Sequence, residues 1–218
     1  MSEIDTTADD GNDHKGFLDI SDNISSRSRL VANTDSVSTG IPGLDRILGG
    51  GYLWNRASVI RGDSGTGKTV FALMFATAGT SDDAAVYASV DESVQNLETY
   101  IKDFPNQARV RFLDFTPSTD SIGSGAENID LGGILVRLRH AFQQSGAKKL
   151  VMDALDVLFT RYENAGQVRA DVSRIFSWCR ENGITVLATA GVDRDYAISR
   201  GVLDYAGDCT LFLEQDVN

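Results

Sequence analysis

The residues that could do chemistry begin with a glycine-rich segment after a short apolar stretch. Residues 62–69 read Gly-Asp-Ser-Gly-Thr-Gly-Lys-Thr, which fits the spacing G-x-x-x-x-G-K-[ST] of a phosphate-binding loop. Glycines let the backbone curl so that successive N–H groups point at phosphate oxygens, and the positive end of the following helix faces the same anion. A chance glycine turn is the alternative, and a strand-like flank before and a helical flank after disfavour it.

The residues of this segment have separate expected roles. We expect the Lys68 ammonium to neutralise the β- and γ-phosphates of a nucleotide and the Thr69 hydroxyl to ligate Mg²⁺. ATP and Mg²⁺ are therefore the predicted cofactors. The predicted nucleotide-binding residues are Gly62, Asp63, Ser64, Gly65, Thr66, Gly67, Lys68, Thr69 and Val70.

Three acidic residues that follow predicted strands complete the candidate site. Asp153 follows a Leu-Val-Met run, and we expect its carboxylate to hold Mg²⁺ together with Thr69; a helix cap is the alternative role. Asp91 and Glu92 end another strand, where we expect one of them to point inward and to orient or deprotonate the attacking water. An acidic helix N-terminus is the alternative for this pair.

Other polar residues beside the predicted strands receive no chemical role. Arg61, Lys148 and Lys149 flank strands, where charges are usually solvated. Asp156 is expected to face solvent or to cap a turn. Thr189 ends a strand and could sense the γ-phosphate, but an ordinary strand threonine is the simpler interpretation.

Alternating strand and helix patterns must position these residues. Strand after helix along the chain predicts an α/β fold with a mainly parallel, twisted sheet and helices on both faces. A polar, Gly/Ser-rich loop is predicted at 118–128 and a polar stretch at 191–200. The predicted strands are 57–60, 84–90, 110–115, 150–152, 184–189 and 210–213, and the predicted helices are a short one within 38–52 and longer ones at 67–79, 93–103, 130–145 and 165–182.

Composition separates a tail from a globular part. Residues 1–36 are rich in Asp, Ser, Thr and Asn, which predicts a flexible acidic tail; Phe17, Leu18 and Ile20 could instead form a small docking element. Residues 37–218 are expected to form a single domain. Cys179 and Cys209 lack metal-type spacing and are expected to be small core residues.

The net charge limits the kinds of molecule that the protein is expected to bind. Twenty basic and thirty-one acidic residues give a formal net charge of −11, which disfavours broad nucleic-acid binding. An acidic surface suits a salt-rich cytoplasm, so a halophilic source is one interpretation and an ordinary acidic protein is the other. No apolar run reaches the ~20 residues of a membrane span, and the N-terminus is acidic where a signal peptide would be basic, so a cytoplasmic location is expected.

Several motifs together resemble the KaiC-type branch of the RecA-like P-loop ATPases. The specific part is the segment Ser-Thr-Gly-Ile-Pro-Gly-Leu-Asp at 38–45, the Leu-Gly-Gly-Gly run at 48–51 and the loop at 62–69. The resemblance covers about residues 37–214. Weaker matches follow in the same order at Asp91-Glu92-Ser93, at the helix start 129–131 and at the strand into Asp153.

The resemblance implies ATP bound between protomers of a ring or filament. It also implies that the first residue of the acidic pair activates water; the family usually has glutamate there, whereas this chain has the shorter Asp91. Ala154 stands where the family often has serine. Relatives continue past the last strand with a hairpin of basic residues that reaches the neighbouring subunit, and residues 214–218 show no counterpart.

Three functions are compatible with these patterns. The leading hypothesis is an ATPase that slowly converts ATP and water to ADP and phosphate as a regulatory or signalling switch, with itself or another protein as partner. The second is a DNA recombination or repair ATPase of the RecA-like group. The third is a scaffold that binds nucleotide without hydrolysing it.

Overall fold

The fold is described from a computed structural model, in which residues 35–80, 82–116, 131–161, 164–192 and 197–215 are described. Within these ranges the strands are β1 Ser36–Val37, β2 Tyr52–Leu53, β3 Ala57–Gly62, β4 Ala85–Ser89, β5 Val110–Asp114, β6 Lys149–Asp153, β7 Thr185–Ala190 and β8 Cys209–Leu213. The α-helices are α1 Pro42–Ile47, α2 Lys68–Thr77, α3 Val94–Ile101, α4 Leu131–Ser145, α5 Ala165–Glu181 and α6 Ala197–Ala206. Short 3-10 helices span Gln107–Arg109 and Leu155–Arg161.

Six strands form one parallel sheet in the order β5-β4-β6-β7-β3-β8. The β1 and β2 strands pair antiparallel in a separate two-stranded sheet. Because all six main strands are parallel, their carboxyl ends lie along one edge, where the connecting loops can meet around a ligand. The α/β fold with a mainly parallel sheet is therefore confirmed.

Helices cover both faces of the sheet because alternate side chains of each strand point to opposite sides. One apolar cluster joins α4, α5 and α6 to the strand residues Val59, Val86, Met152 and Ala188. A second cluster joins α2 and α3 to Ile60, Tyr87, Val151 and Leu187. Strands buried on both faces explain the nearly continuous apolar runs of the sequence.

Three expectations about the elements are wrong. The predicted polar stretch 191–200 overlaps a helix, α6, whose Val202 and Leu203 pack into the first cluster. Helical spacing predicts that Leu44, Ile47 and Leu48 pack inward, but α1 has no buried residue and Ile47 is 81% exposed. The apolar residues Val70, Phe71, Leu73, Met74 and Phe75 predict that the 67–79 helix is buried nearly all round, but Val70 is 51% exposed. The predicted loop 118–128 and the Phe17–Ile20 segment lie outside the described residues.

Two charges predicted to be solvated are buried. Arg61 is 2% exposed, with its guanidinium 6.0 Å from the ring centre of Phe212. Lys149 is 3% exposed, and its ammonium donates hydrogen bonds to carbonyl oxygens at the end of α2. Both lie inside strands rather than at their flanks, so the sheet and its covering helices remove them from water.

The prediction of core cysteines is confirmed for Cys179, which is buried, whereas Cys209 is only partly buried; both are free thiols. Burial raises the pKa of the Cys179 thiol to about 12, so this thiol stays protonated at neutral pH. No helix in the described ranges is long and apolar enough to cross a membrane.

Candidate functional site

The glycine-rich loop connects β3 to α2 at the carboxyl edge of the sheet. Gly65 and Gly67 have φ angles of +83° and +89°, a region that favours glycine, and Gly67 is the N-cap residue directly before α2. The Lys68 ammonium reaches back across the loop and donates to the carbonyl oxygens of Gly62 and Asp63, both at 2.8 Å. The loop is therefore curled around its lysine at the N-terminus of a ten-residue helix.

Close packing fixes the base of this loop. A Cβ atom on Gly62 would lie 2.5 Å from the Thr66 hydroxyl oxygen and 2.7 Å from the Leu213 carbonyl oxygen. The Thr66 hydroxyl also donates to the Asp63 carbonyl at 2.8 Å. The close contacts of Gly62 therefore leave no room for a side chain at the start of the loop, and the Thr66 hydroxyl closes the turn by its bond to Asp63.

The segment 38–45 braces the helix that carries the loop. The Asp45 carboxylate accepts hydrogen bonds from the Ser38 hydroxyl at 2.7 Å and from the Thr39 N–H at 2.7 Å. Gly40 has a φ of +82°, and a Cβ atom there would collide with the Met74 carbonyl of α2. The segment is therefore a structural brace, since its polar groups bond to one another and its glycine touches the backbone of α2.

Asp153 is the last residue of β6, with 5% of its surface exposed. Its Oδ2 accepts a hydrogen bond from the Tyr87 hydroxyl at 2.6 Å, and its Oδ1 accepts one from the Thr189 hydroxyl. The peptide bond between Asp153 and Ala154 is cis. Thr189 therefore lies within β7 and donates its hydroxyl hydrogen to Asp153. It is not among the residues that line the pocket.

Asp91 and Glu92 lie beyond the end of β4, which stops at Ser89. The alternation rule for strands therefore does not apply to them, and both line the same pocket, contrary to the expectation that only one would. Asp91 is exposed, whereas Glu92 is half-buried and accepts a hydrogen bond from Tyr100, which raises the pKa of that phenol. Ser93 caps α3, since its hydroxyl accepts a hydrogen bond from the Asn96 N–H.

One pocket of about 280 Å³ brings most of the predicted residues together. Predicted residues that do not line it are Gly62, Asp63 and Thr66. No cluster of three or more His, Cys, Asp or Glu side chains suited to a metal ion occurs in the part of the chain described here. The two predicted Mg²⁺ ligands, Thr69 and Asp153, both line the pocket. The pocket is lined by Ser64, Gly65, Gly67, Lys68, Thr69, Val70, Asp91, Glu92, Asp153 and Ala154.

Sequence reasoning missed Tyr87, which is fully buried in β4. Its side chain points to the face of α2 and α3, where the ring packs against Phe112 at 5.3 Å between centroids. One signal could have found it: a tyrosine inside a buried strand needs a hydrogen-bond partner for its hydroxyl. Asp156 was expected to face solvent or cap a turn, and instead its carboxylate accepts a hydrogen bond from the Gly191 N–H at 2.9 Å.

The class of protein follows from the fold and the loop: a parallel α/β sheet with helices on both faces and a phosphate-binding loop between β3 and α2 is a RecA-like P-loop NTPase domain. Comparison with known families is more specific. The family described as "ATPase: KaiC" matches residues 37–218. The chain therefore belongs to this KaiC ATPase family.

Individual relatives agree with this assignment. The chain is 30% identical over 200 residues to the circadian clock protein KaiC2 of Synechocystis sp., covering 85% of this chain and 35% of the relative. It is 30% identical over 184 residues to KaiC3 of the same organism, covering 80% and 36%. For the circadian clock oscillator protein KaiC of Prochlorococcus marinus the identity is 30% over 186 residues, covering 80% and 37%. The chain thus spans about a third of the length of these relatives.

Proposed function

We propose that the protein binds Mg-ATP at this pocket and hydrolyses it slowly, as a switch that reports nucleotide state to a partner protein or to further copies of itself. The observation that carries the proposal is the shared pocket. The phosphate-binding loop, the buried carboxylate of Asp153 and the acidic pair Asp91 and Glu92 all line one cavity at the carboxyl edge of the sheet.

The loop residues fit a nucleotide's phosphates. Main-chain N–H groups of the curled loop and the N-terminus of α2 offer donors and positive potential. The Lys68 ammonium is held by two loop carbonyls at 2.8 Å, so its charge stays at the mouth of the loop. In this position it would pair with the β- and γ-phosphates and offset charge that develops in the transition state.

The residues also fit a magnesium ion. Asp153 is a buried carboxylate, and none of the ion pairs found in the described part of the chain includes it. A buried carboxylate without a cationic partner is costly, and a divalent cation would offset that cost. Thr69 and Asp153 would hold Mg²⁺, which would supply charge neutralisation at the phosphates.

Hydrolysis requires a group that orients the attacking water. Asp91 and Glu92 line the pocket and are the available carboxylates for that role. Asp91 is exposed and one methylene shorter than glutamate, while Glu92 is engaged by Tyr100. Either condition weakens general-base catalysis, which supports a slow rate.

An isolated subunit is expected to be slow for a second reason. No arginine lines the described pocket. An arginine supplied in trans can raise the rate of phosphoryl transfer by ~10³–10⁵. A neighbouring subunit or partner protein would be the source of that charge, which gives the switch a way to depend on assembly.

The test combines sizing by light scattering, with and without Mg-ATP, with phosphate release followed on the same sample. We expect measurable but slow phosphate release and a change of assembly state with nucleotide. Equal thermal stabilisation by ATP and ADP without phosphate release would instead identify a nucleotide-binding scaffold. Tight, salt-sensitive binding of single-stranded DNA would favour a repair ATPase, which the formal charge of −11 disfavours.

A further inference from the structure

The carboxylate of Asp153 is held from both sides by the strands next to its own. In the sheet, β6 lies between β4 and β7. Tyr87 of β4 donates its phenol hydrogen to Oδ2 at 2.6 Å, and Thr189 of β7 donates its hydroxyl hydrogen to Oδ1. The Asp153 main-chain carbonyl also accepts a hydrogen bond from the Val90 N–H at 2.7 Å. Hydrogen bonds therefore hold both the side chain and the main chain of Asp153 in place.

The two donors leave part of the carboxylate available. Each carboxylate oxygen can accept about two hydrogen bonds or metal bonds. One position on each oxygen is used by Tyr87 or Thr189, and Asp153 also lines the pocket together with Thr69. A ligand in that pocket can therefore approach an oxygen whose orientation is already set.

The phenol is well suited to this task. The distance of 2.6 Å is that of a charge-assisted O–H···O⁻ bond, which is stronger than a neutral one.

We propose that Tyr87 and Thr189 are positioning residues that hold the Asp153 carboxylate in the orientation needed to bind the magnesium of Mg-ATP. This inference rests on the proposed function. Residues that hydrogen-bond to a metal-binding carboxylate orient it, and their loss typically weakens metal affinity by 10–100-fold. The simpler alternative is that the two hydroxyls only satisfy a buried carboxylate, in which case their loss would change stability and not metal dependence.

The variants remove one hydroxyl each and keep the shape of the side chain. Tyr87→Phe retains the ring and its packing against Phe112. Thr189→Val retains the branched shape, and Thr189→Ser restores the hydroxyl as a rescue. The matched control is Tyr52→Phe, a second buried tyrosine in the same apolar cluster, whose hydroxyl has no hydrogen-bond partner among the described residues.

Each variant is titrated with Mg²⁺ at a fixed ATP concentration, and binding is read from thermal stabilisation. Mn²⁺ replaces Mg²⁺ in a second experiment, where the loss of the free-ion electron paramagnetic resonance signal measures metal binding directly. The half-effect concentration is the metal concentration that gives half of the full change in either readout. We expect it to rise about tenfold for Tyr87→Phe and for Thr189→Val, since loss of such partners weakens metal affinity by ~10–100-fold. Thr189→Ser and Tyr52→Phe should match the unmodified protein, and stabilisation by ATP in excess chelator should be the same for all.

The possible outcomes distinguish failure of the positioning role from failure of the proposed function. If the unmodified protein shows metal-dependent ATP binding and the half-effect concentration is unchanged in both variants, the positioning role is wrong while the proposed function stands. If the unmodified protein shows no metal-dependent ATP binding, the proposed function fails and the positioning role fails with it. A variant that melts earlier in chelator but keeps the normal half-effect concentration shows a structural role only.

Discussion

The side-chain nitrogen of Lys149 lies 2.6 Å from the main-chain carbonyl oxygen of Ala78, the C-cap residue of α2. The same ammonium donates to the carbonyl oxygens of Phe75 and Ala76, both at 3.2 Å. A cation at a helix C-terminus complements the helix dipole and satisfies carbonyls that have no partner within the helix. The helix that presents the phosphate-binding loop at one end is thus capped by a buried lysine at the other.

Replacing Lys149 with methionine should change how stability depends on pH. Burial lowers the pKa of Lys149 to about 8, and the nearby Asp83 charge opposes this only in part. An unfolded lysine titrates near ~10.4, so between these values the unfolded chain binds a proton that the folded chain does not. From about pH 7.5 to 9.5 the free energy of unfolding should therefore rise by about 2 kcal/mol more in the unmodified protein than in Lys149→Met.

Urea denaturation at a series of pH values measures this difference. The exposed neighbour provides the control, since Lys148→Met should follow the unmodified protein across the same range. Parallel curves for the unmodified protein and Lys149→Met would contradict the shifted pKa.

Lys68→Ala should weaken ATP binding by about 10–100-fold, because hydrogen bonds to charged groups contribute ~1.5–3 kcal/mol. The variant also loses the bonds from the ammonium to the loop carbonyls, so a small drop in stability without nucleotide is expected. Thermal stabilisation as a function of ATP concentration measures the affinity. Lys102→Ala, at an exposed position after α3, is the control. Undiminished ATP binding in Lys68→Ala would count against the assigned site.

Asp91→Asn combined with Glu92→Gln should leave ATP binding intact and reduce phosphate release by about 10²-fold or more, the usual contribution of a general base. Both substitutions keep side-chain size and remove the charge. The single variants identify which carboxylate acts, and Tyr100→Phe tests whether the hydrogen bond to Glu92 restrains it. Unchanged phosphate release in the double variant would show that neither carboxylate takes part.

Gly40→Ala should destabilise the fold by at least about 2 kcal/mol, because a positive φ strains alanine and the new methyl group collides with the Met74 carbonyl. Gly43→Ala is the matched control three residues away. Its added Cβ atom has nothing within 4 Å, and it lies in α1, where alanine is preferred to glycine. Chemical denaturation compares the two, and equal stability of both variants would contradict the brace.

Tyr52→Phe should stabilise the protein by about 1 kcal/mol, because it removes a buried hydroxyl without a hydrogen-bond partner among the described residues. The edge-on contact of the ring with Phe75, at 5.2 Å between centroids, is retained. Burial raises the pKa of Tyr52 above that of an unfolded tyrosine, so the unmodified protein should lose further stability relative to the variant above about pH 10. Denaturation at pH 8 and pH 10.5 measures both effects. A less stable variant at pH 8 would imply a bound partner for this hydroxyl.

Local signals in the sequence were enough to predict the phosphate-binding loop and the position of the Asp153 carboxylate. The glycine and lysine spacing placed the loop, and the apolar run before Asp153 placed a carboxylate at the edge of the sheet where Thr69 also lies. These signals are local because each depends on one strand and the residues directly after it.

What could not be predicted depends on which strands are neighbours. Tyr87 and Thr189 are 66 and 36 residues from Asp153 in the chain, and only the order β4-β6-β7 brings their hydroxyls to its carboxylate. The burial of Lys149 likewise depends on where α2 ends, since its partners are carbonyls at the end of that helix. The α6 helix was missed because polar residues precede its buried side chains.

The position of β6 inside the sheet, with two strands on one side and three on the other, divides the site into parts of different mobility. Amides of an interior strand exchange their hydrogens with solvent only when much of the domain opens, whereas amides of an exposed glycine turn exchange through small local fluctuations. We therefore expect slow amide exchange in the interior strand that carries Asp153 and faster exchange in the exposed turn around Gly65. Under the proposed function, nucleotide binding should slow amide exchange in the turn around Gly65 more than in β6.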